Sequence, residues 1–134
     1  MRSPYLTAKQ TKELLARSSP WLKARLSAAD MLTVAQAASC AHTEVATMRR
    51  WVAAGRAIAL KTGRHGCRLP RWQFEPAIWD AIPHVAAALG TTQGWSLMDF
   101  LEGACGALSG RTPRQAIEQG DLHAVLRTGL AESH

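Results

Sequence analysis

The 134-residue sequence has few cysteines, few acidic residues in its first half and no long apolar run. Cys40, Cys67 and Cys105 are an odd number and do not read as a disulfide framework, so a reducing cytoplasm is the expected compartment. No apolar stretch approaches the roughly 20 residues that a membrane helix needs. The first residues carry no apolar core of a secretory signal, so neither a membrane nor an export route is expected. There is no P-loop, no GxGxxG and no zincin motif. Cys105 sits among Gly and Ala with no His beside it, and Asp80, Asp99, Glu102 and Glu118 are scattered over helix positions. Without a base and an orienting partner for a nucleophile, no enzyme, catalytic residue or cofactor is expected. Internal repeats and low-complexity tracts are also missing. At 47% hydrophobic and 19% charged, the chain is neither disordered nor fibrous, and its length suits one ordinary domain.

What is there is a lopsided charge. Through Arg71 there are 13 Lys and Arg against 3 Asp and Glu; from Trp72 onward there are 3 against 7. A basic half joined to a mildly acidic one points to a polyanion partner for the basic half.

The basic half carries a pattern. Thr7 predicts a helix through about Ala16, with Leu14 and Leu15 on its apolar side. Ser19 and Pro20 suit the N-cap and first position of a second helix, with Trp21, Leu22 and Leu26 as its stripe. Thr33 predicts another N-cap, with Val34, Ala37 and Ala38 at i, i+3 and i+4 on one face. After a break at 39–42, Thr43 predicts the cap of a helix over 44–54, with Val45, Met48 and Val52 inward beside Trp51, and Gly55 as its stop. Two short helices joined by a tight turn, the first Ala-rich, have the layout of a helix-turn-helix. A strand over 56–61, a Gly- and cation-rich turn over 62–66 and a return over 67–70 then predict a β-hairpin with a basic tip, the form of a DNA-binding wing.

In that layout the second helix is the reader. Thr43, Glu44, Thr47 and Arg50 fall on or near its outward face, and Arg49 is within reach of backbone phosphate. Arginine takes guanine bidentately, and threonine meets a thymine methyl or a phosphate. Arg56, Lys61, Arg64, His65 and Arg68 line the wing and would hold phosphates or a minor groove of double-stranded DNA. Cys40 with His42, and His65 with Cys67, are two short pairs that zinc could join, but their one-residue spacers are unlike the usual ligand spacing, and no metal is expected.

The second half predicts helices. Pro76 opens a piece through Ile82, and Pro83 opens another through Leu89, ended by Gly90. Ser96 caps a helix with Leu97, Phe100 and Leu101 on one side. A Gly-rich connection around Leu108 leads to Thr112-Pro113, a cap and first turn, and a helix through Ile117 that Gly120 breaks. Asp121 caps the last helix, striped by Leu122, Val125, Leu126 and Leu130.

The segments Leu69-Pro70-Arg71-Trp72-Gln73-Phe74, Trp95-Ser96, and Leu108-Ser109-Gly110-Arg111-Thr112-Pro113, followed by Ala116, Ile117, Gly120 and Asp121, resemble the toxin-binding domain of Xre/MbcA/ParS-type antitoxins. The front half looks instead like a MerR or excisionase winged helix-turn-helix. The resemblance implies a helical domain that forms a homodimer, docks a RES-type toxin, and represses its own operon through DNA. It places partner contacts at Trp95, Phe100, Leu108, Arg111 and Arg114, although the plainer reading of Trp72, Phe74, Trp95, Phe100 and Leu108 is core. The expectation is a mainly α protein: an N-terminal helical arm over 1–30, a winged helix-turn-helix with a small β-hairpin over 31–74, and a small helical toxin-binding-like or dimerisation domain over 75–134. The alternative is an interaction adaptor, or a stand-alone or excisionase-like DNA-binding factor without a toxin.

Overall fold

A computed structural model of the chain describes residues 19–62 and 66–132, with the side chains of 19–22 excepted. The expected helix at 7–16 and the Trp21 and Leu22 side chains lie outside that description. The fold is mainly helical with one small antiparallel sheet. In chain order it runs α1 (Ser19–Leu26), β1 (Met31–Leu32), α2 (Val34–Cys40), α3 (Val45–Ala53), β2 (Leu60–Thr62), β3 (Gly66–Pro70), a 3-10 turn (Arg71–Phe74), α4 (Pro76–Leu89), α5 (Gly94–Glu102), a second 3-10 turn (Gly106–Leu108), α6 (Pro113–Glu118) and α7 (Leu122–Glu132). The sheet order is β1-β3-β2, with Leu32 opposite Leu69 and Lys61 opposite Cys67.

The caps explain where several helices start and stop. Thr33 and Gln36 form a capping box at α2: the Gln36 N–H donates to Thr33 Oγ1 at 3.2 Å, and the Thr33 N–H to Gln36 Oε1 at 2.9 Å. Thr112 and Gln115 repeat it at α6, at 3.0 and 2.9 Å. α2 ends in a Schellman turn: the Thr43 N–H reaches the Ala38 carbonyl, and the His42 N–H the Ser39 carbonyl. That turn puts His42 at φ +56°, a left-handed conformation that normally goes to glycine. α3 ends the same way with glycine, Gly55 at φ +75°.

Four expectations are corrected. α3 begins one residue later than predicted, with Glu44 rather than Thr43 as its N-cap. Val45 and Leu130 are exposed rather than inward, because each lies at the edge of its helix's apolar stripe. Gln93, not Ser96, caps α5; the Ser96 hydroxyl donates to the Gln93 side chain one turn back. The two predicted pieces around Pro83 are one continuous helix, α4, with the proline inside it. An interior proline takes away the N–H that the carbonyl four residues earlier would accept. Here that carbonyl belongs to Trp79, and Arg56 Nη2 donates to it at 2.8 Å. A side chain from another segment supplies the hydrogen bond that the helix cannot.

The core crosses the expected boundary at residue 74. Met31, Ile58, Leu60 and Trp72 pack with Ile78, Ile82, Val85, Leu97, Leu101 and Val125 in one cluster. A second cluster joins α2, α3 and β3 through Leu32, Ala37, Met48 and Leu69. Trp79 touches both, tilted against Trp51 at 5.2 Å and Phe74 at 5.5 Å between centroids. From α1, Leu26 packs on the main core, and Arg25 is held in a polar knot. Its guanidinium bonds both oxygens of Asp30, at 2.7 and 2.9 Å, and both of Glu102, at 3.1 and 2.6 Å. Trp72 Nε1 donates to the same Glu102 at 3.1 Å. The described part of the expected arm therefore belongs to the packed body.

Candidate nucleic-acid interface

α3 presents its charge on one side because its other side is spent on packing. Met48 is fully buried, with Trp51 and Val52 half-buried beside it. At helical spacing this leaves Glu44, Arg49 and Arg50 exposed, and Thr43 and Thr47 half-exposed. Arg50 Nη2 donates to Thr47 Oγ1 at 3.3 Å, one turn earlier on the same face.

The hairpin shares a small core with this helix, since Cys67 and Leu69 of β3 fall in one cluster with Met48, Trp51 and Val52. Lys61 is exposed on β2 with Cys67 opposite on β3, and Arg68 Nη1 donates to the Cys67 carbonyl at 3.0 Å. Burial pushes the Cys67 thiol up from its ordinary pKa, while the positive charges of Arg68 and Arg49 pull it back. Arg49 is thus close enough to act on the hairpin. The structure brings Arg49, Lys61 and Arg68 together around Cys67. Beside them, a cleft of about 370 Å³ is lined by Val52, Lys61, Cys67, Gln93, Gly94 and Trp95. Arg64 and His65, the predicted tip, lie outside the described residues.

Arg56 sits elsewhere. Its guanidinium lies 3.7 Å over the Trp79 ring while it donates to the Trp79 carbonyl, and Nη1 is buried without a partner. Burial pulls its pKa below the ordinary arginine value, which Asp80 opposes. The strand expected from residue 56 starts at Leu60, and Arg56 faces the helical half rather than the hairpin.

Among the described residues, three cations are held in ion pairs. Arg25 is paired with Asp30 and Glu102, Arg111 with Asp121 at 2.8 Å, and Arg114 with Glu118 at 3.0 Å. Among the described residues, Arg49, Arg50, Lys61 and Arg68 make no ion pair. Lys23, Arg71 and Arg127 are exposed and unpaired as well, one each on α1, the first 3-10 turn and α7; what distinguishes α3 and the hairpin that follows it is that four unpaired cations fall on two successive elements.

The residues expected to meet a partner are mostly internal. Phe100 and Leu108 are buried in the main core, and Trp95 is half-buried against it. Arg111 is committed three times, to the Leu108 carbonyl, Gln119 and Asp121, so that it staples the turn before α6 to the start of α7. Arg114 pairs with Glu118 and stands 5.1 Å from the Trp72 ring centre.

Sequence reasoning missed Gln73, a fully buried polar side chain. Its Oε1 accepts from the Ile58 N–H at 2.7 Å, and its Nε2 donates to the Ile58 carbonyl at 2.8 Å. The amide acts as one rung of a strand and fixes the backbone that leads into β2. The signal was present as a lone glutamine between Trp72 and Phe74 in an apolar entry, where a polar side chain must be bonded. Among the described residues no three Cys, His, Asp or Glu side chains gather as a metal site. No helix there is long and apolar enough to cross a membrane. Comparison with protein-family models, with curated proteins and with solved structures finds no match.

Proposed function

We propose that the chain is a DNA-binding transcriptional regulator in which α2, the His42 turn and α3 act as a helix-turn-helix and β2–β3 as its wing. The observation that carries this reading is the set of unpaired cations on α3 and the hairpin. Desolvating a paired cation gains little, whereas an unpaired one releases a counterion when it meets phosphate. Arg49, Lys61 and Arg68 are assigned to the phosphate backbone, with Arg64 and His65 of the tip added from the sequence. Arg50, with Thr43 or Thr47, is assigned to base edges in the major groove. Arg56 is left out of the interface, since its guanidinium is stacked on the Trp79 ring and bonded to the Trp79 carbonyl.

The resemblance to Xre/MbcA/ParS-type antitoxins supports a homodimer that reads two half-sites and represses its own operon, with a RES-type toxin as second partner. In that proposal Trp95 and Arg114 are left as surface contacts, while Phe100, Leu108 and Arg111 shape the domain from within.

The test is fluorescence anisotropy with DNA from upstream of the gene, against a scrambled duplex, at about 50 and 200 mM salt. The four Lys and Arg among these phosphate contacts would cost about a hundredfold in affinity over that range. Arg50→Ala should weaken binding to the upstream DNA more than to the scrambled duplex, and Lys61→Ala should weaken both alike. Weak, equal binding to both duplexes that ignores Lys61→Ala would sink the DNA reading.

A further inference from the structure

We infer that, of the two threonines named above, Thr47 is a positioning residue for Arg50 and leaves direct base contact to Thr43: it sets which base pair that arginine reads without touching a base itself. The inference rests on the DNA-binding reading above and deepens it. Arg50 stands exposed on α3 and, among the described residues, makes no ion pair; the hydrogen bond from its Nη2 to Thr47 Oγ1 at 3.3 Å is what orients the guanidinium. A long side chain anchored only at its Cα samples many rotamers, and docking it onto one guanine then costs that freedom. The bond to Thr47 removes much of the freedom beforehand. It uses one of five N–H donors, so the four that remain still suffice for the two-point contact with guanine O6 and N7.

The neighbouring arginine shows why the bond matters. Arg49 differs by one position and is therefore turned about 100° around the helix, where it acts on Cys67 of the hairpin. Of the two, only Arg50 lies over Thr47, because only i, i+3 and i, i+4 pairs share a face. The adjacent arginines are thus separated into a phosphate contact beside the wing and a pre-set reader. Thr47 is half-exposed and its role needs the hydroxyl oxygen, not the methyl group.

The test selects from a random-sequence duplex library with the full chain, as wild type, Arg50→Ala, Thr47→Val and Thr47→Ser, each checked by circular dichroism for the native helix signal. Valine keeps the shape of threonine and lacks the acceptor; serine keeps the acceptor. Wild type should enrich a motif in which Arg50→Ala lowers the preference at one base pair by about tenfold. Thr47→Val should lower the preference at that same base pair by about three- to tenfold, and Thr47→Ser should retain it. A Thr47→Val protein that keeps the wild-type preference overturns the positioning role and leaves DNA reading intact. One whose preference changes at a different base pair overturns it too, since Thr47 would then be a reader. If wild type enriches no motif, the DNA reading fails and the positioning role fails with it.

Discussion

Pro83 and Arg56 should behave as one unit in stability measurements. Proline at position 83 leaves the Trp79 carbonyl without its helical donor, and Arg56 Nη2 fills the gap at 2.8 Å while the guanidinium covers the Trp79 ring at 3.7 Å. A hydrogen bond from a charged donor contributes about 1.5–3 kcal/mol, and a cation over indole about 0.5–1 kcal/mol at a partly exposed site. Arg56→Met removes both, but it also removes the cost of a buried, unpartnered Nη1. The net loss is expected at about 2 kcal/mol, or about 6–10 °C in Tm for a domain of this size. In a Pro83→Ala background the helix supplies its own N–H to Trp79, and the same Arg56→Met change should cost about 1 kcal/mol less. The assay is a double-mutant cycle by urea denaturation, followed by tryptophan fluorescence with Trp79 as an internal reporter. Only midpoints should move while the slope stays constant. If the two substitutions add to within about 0.5 kcal/mol, the two residues are independent and the account of the unbroken α4 is wrong.

Four further outcomes follow from the same packing. Gln73→Leu leaves the N–H and carbonyl of buried Ile58 without partners and should destabilise by about 2–4 kcal/mol in urea unfolding; a change under about 1 kcal/mol would mean water replaces the amide. Arg25→Met should cost about 1–3 kcal/mol after allowance for the partial exposure of its acidic partners. Arg25 holds the Asp30 carboxyl below its ordinary pKa, so this contribution is present above the unfolded value of about 4 and is lost as pH falls through the lower folded value. Midpoints measured from pH 6 down to pH 2 should therefore fall less steeply for Arg25→Met than for wild type. His42→Gly relieves a left-handed residue at φ +56° and should stabilise by about 0.5–1 kcal/mol in thermal melts, with circular dichroism unchanged; destabilisation would show that the His42 side chain supports the turn. Gly94→Ala drives a Cβ into the Ala59 carbonyl and should cost about 1–3 kcal/mol; a neutral result would mean α5 can withdraw from the segment before β2 without loss.

The sequence made the small, regular devices legible. Thr33 with Gln36 and Thr112 with Gln115 are capping boxes because a hydroxyl and an amide three residues apart can satisfy each other's backbone N–H locally. Gly55, Gly90 and Gly120 end helices where a positive φ is needed. The hairpin and the turn between α2 and α3 were legible for the same reason, as neighbours in the chain decide them. Two caps were misread locally, Thr43 for Glu44 and Ser96 for Gln93, but the larger failures depended on distant segments. Pro83 reads as a helix start until Arg56, from another segment, is seen to satisfy the Trp79 carbonyl. Gln73 and Arg25 look like surface residues until Ile58 and Glu102 are brought to them. For the candidate site, sequence reasoning placed Arg49, Arg50 and Lys61 on the exposed face. It assigned Arg56 to the wing because it could not see Trp79.

The seam between the two halves is where the fold and the proposed function meet. Gln73 holds the backbone of Ile58, Arg56 reaches α4, and the Arg71 N–H donates to the Asp30 carbonyl at 2.8 Å. Gly55 approaches Thr92, and Gly94 approaches Ala59, so closely that neither has room for a Cβ. The Arg56, Gly55 and Gly94 contacts tie the end of α3 and the segment before the hairpin to the helical half, the Gln73 and Arg71 bonds brace that segment and the end of the hairpin from within, and none uses a residue assigned to phosphate or base. A reader that relied on loosely held helices would lose part of its contact energy in ordering them. Here that ordering is done by the core, which leaves Arg49, Arg50, Lys61 and Arg68 outside it. It also means that cutting the chain at residue 74 would expose Ile58, Leu60 and Trp72 together, since their burial depends on α4 and α5. The basic half is a face of the molecule rather than a module that could be detached from it.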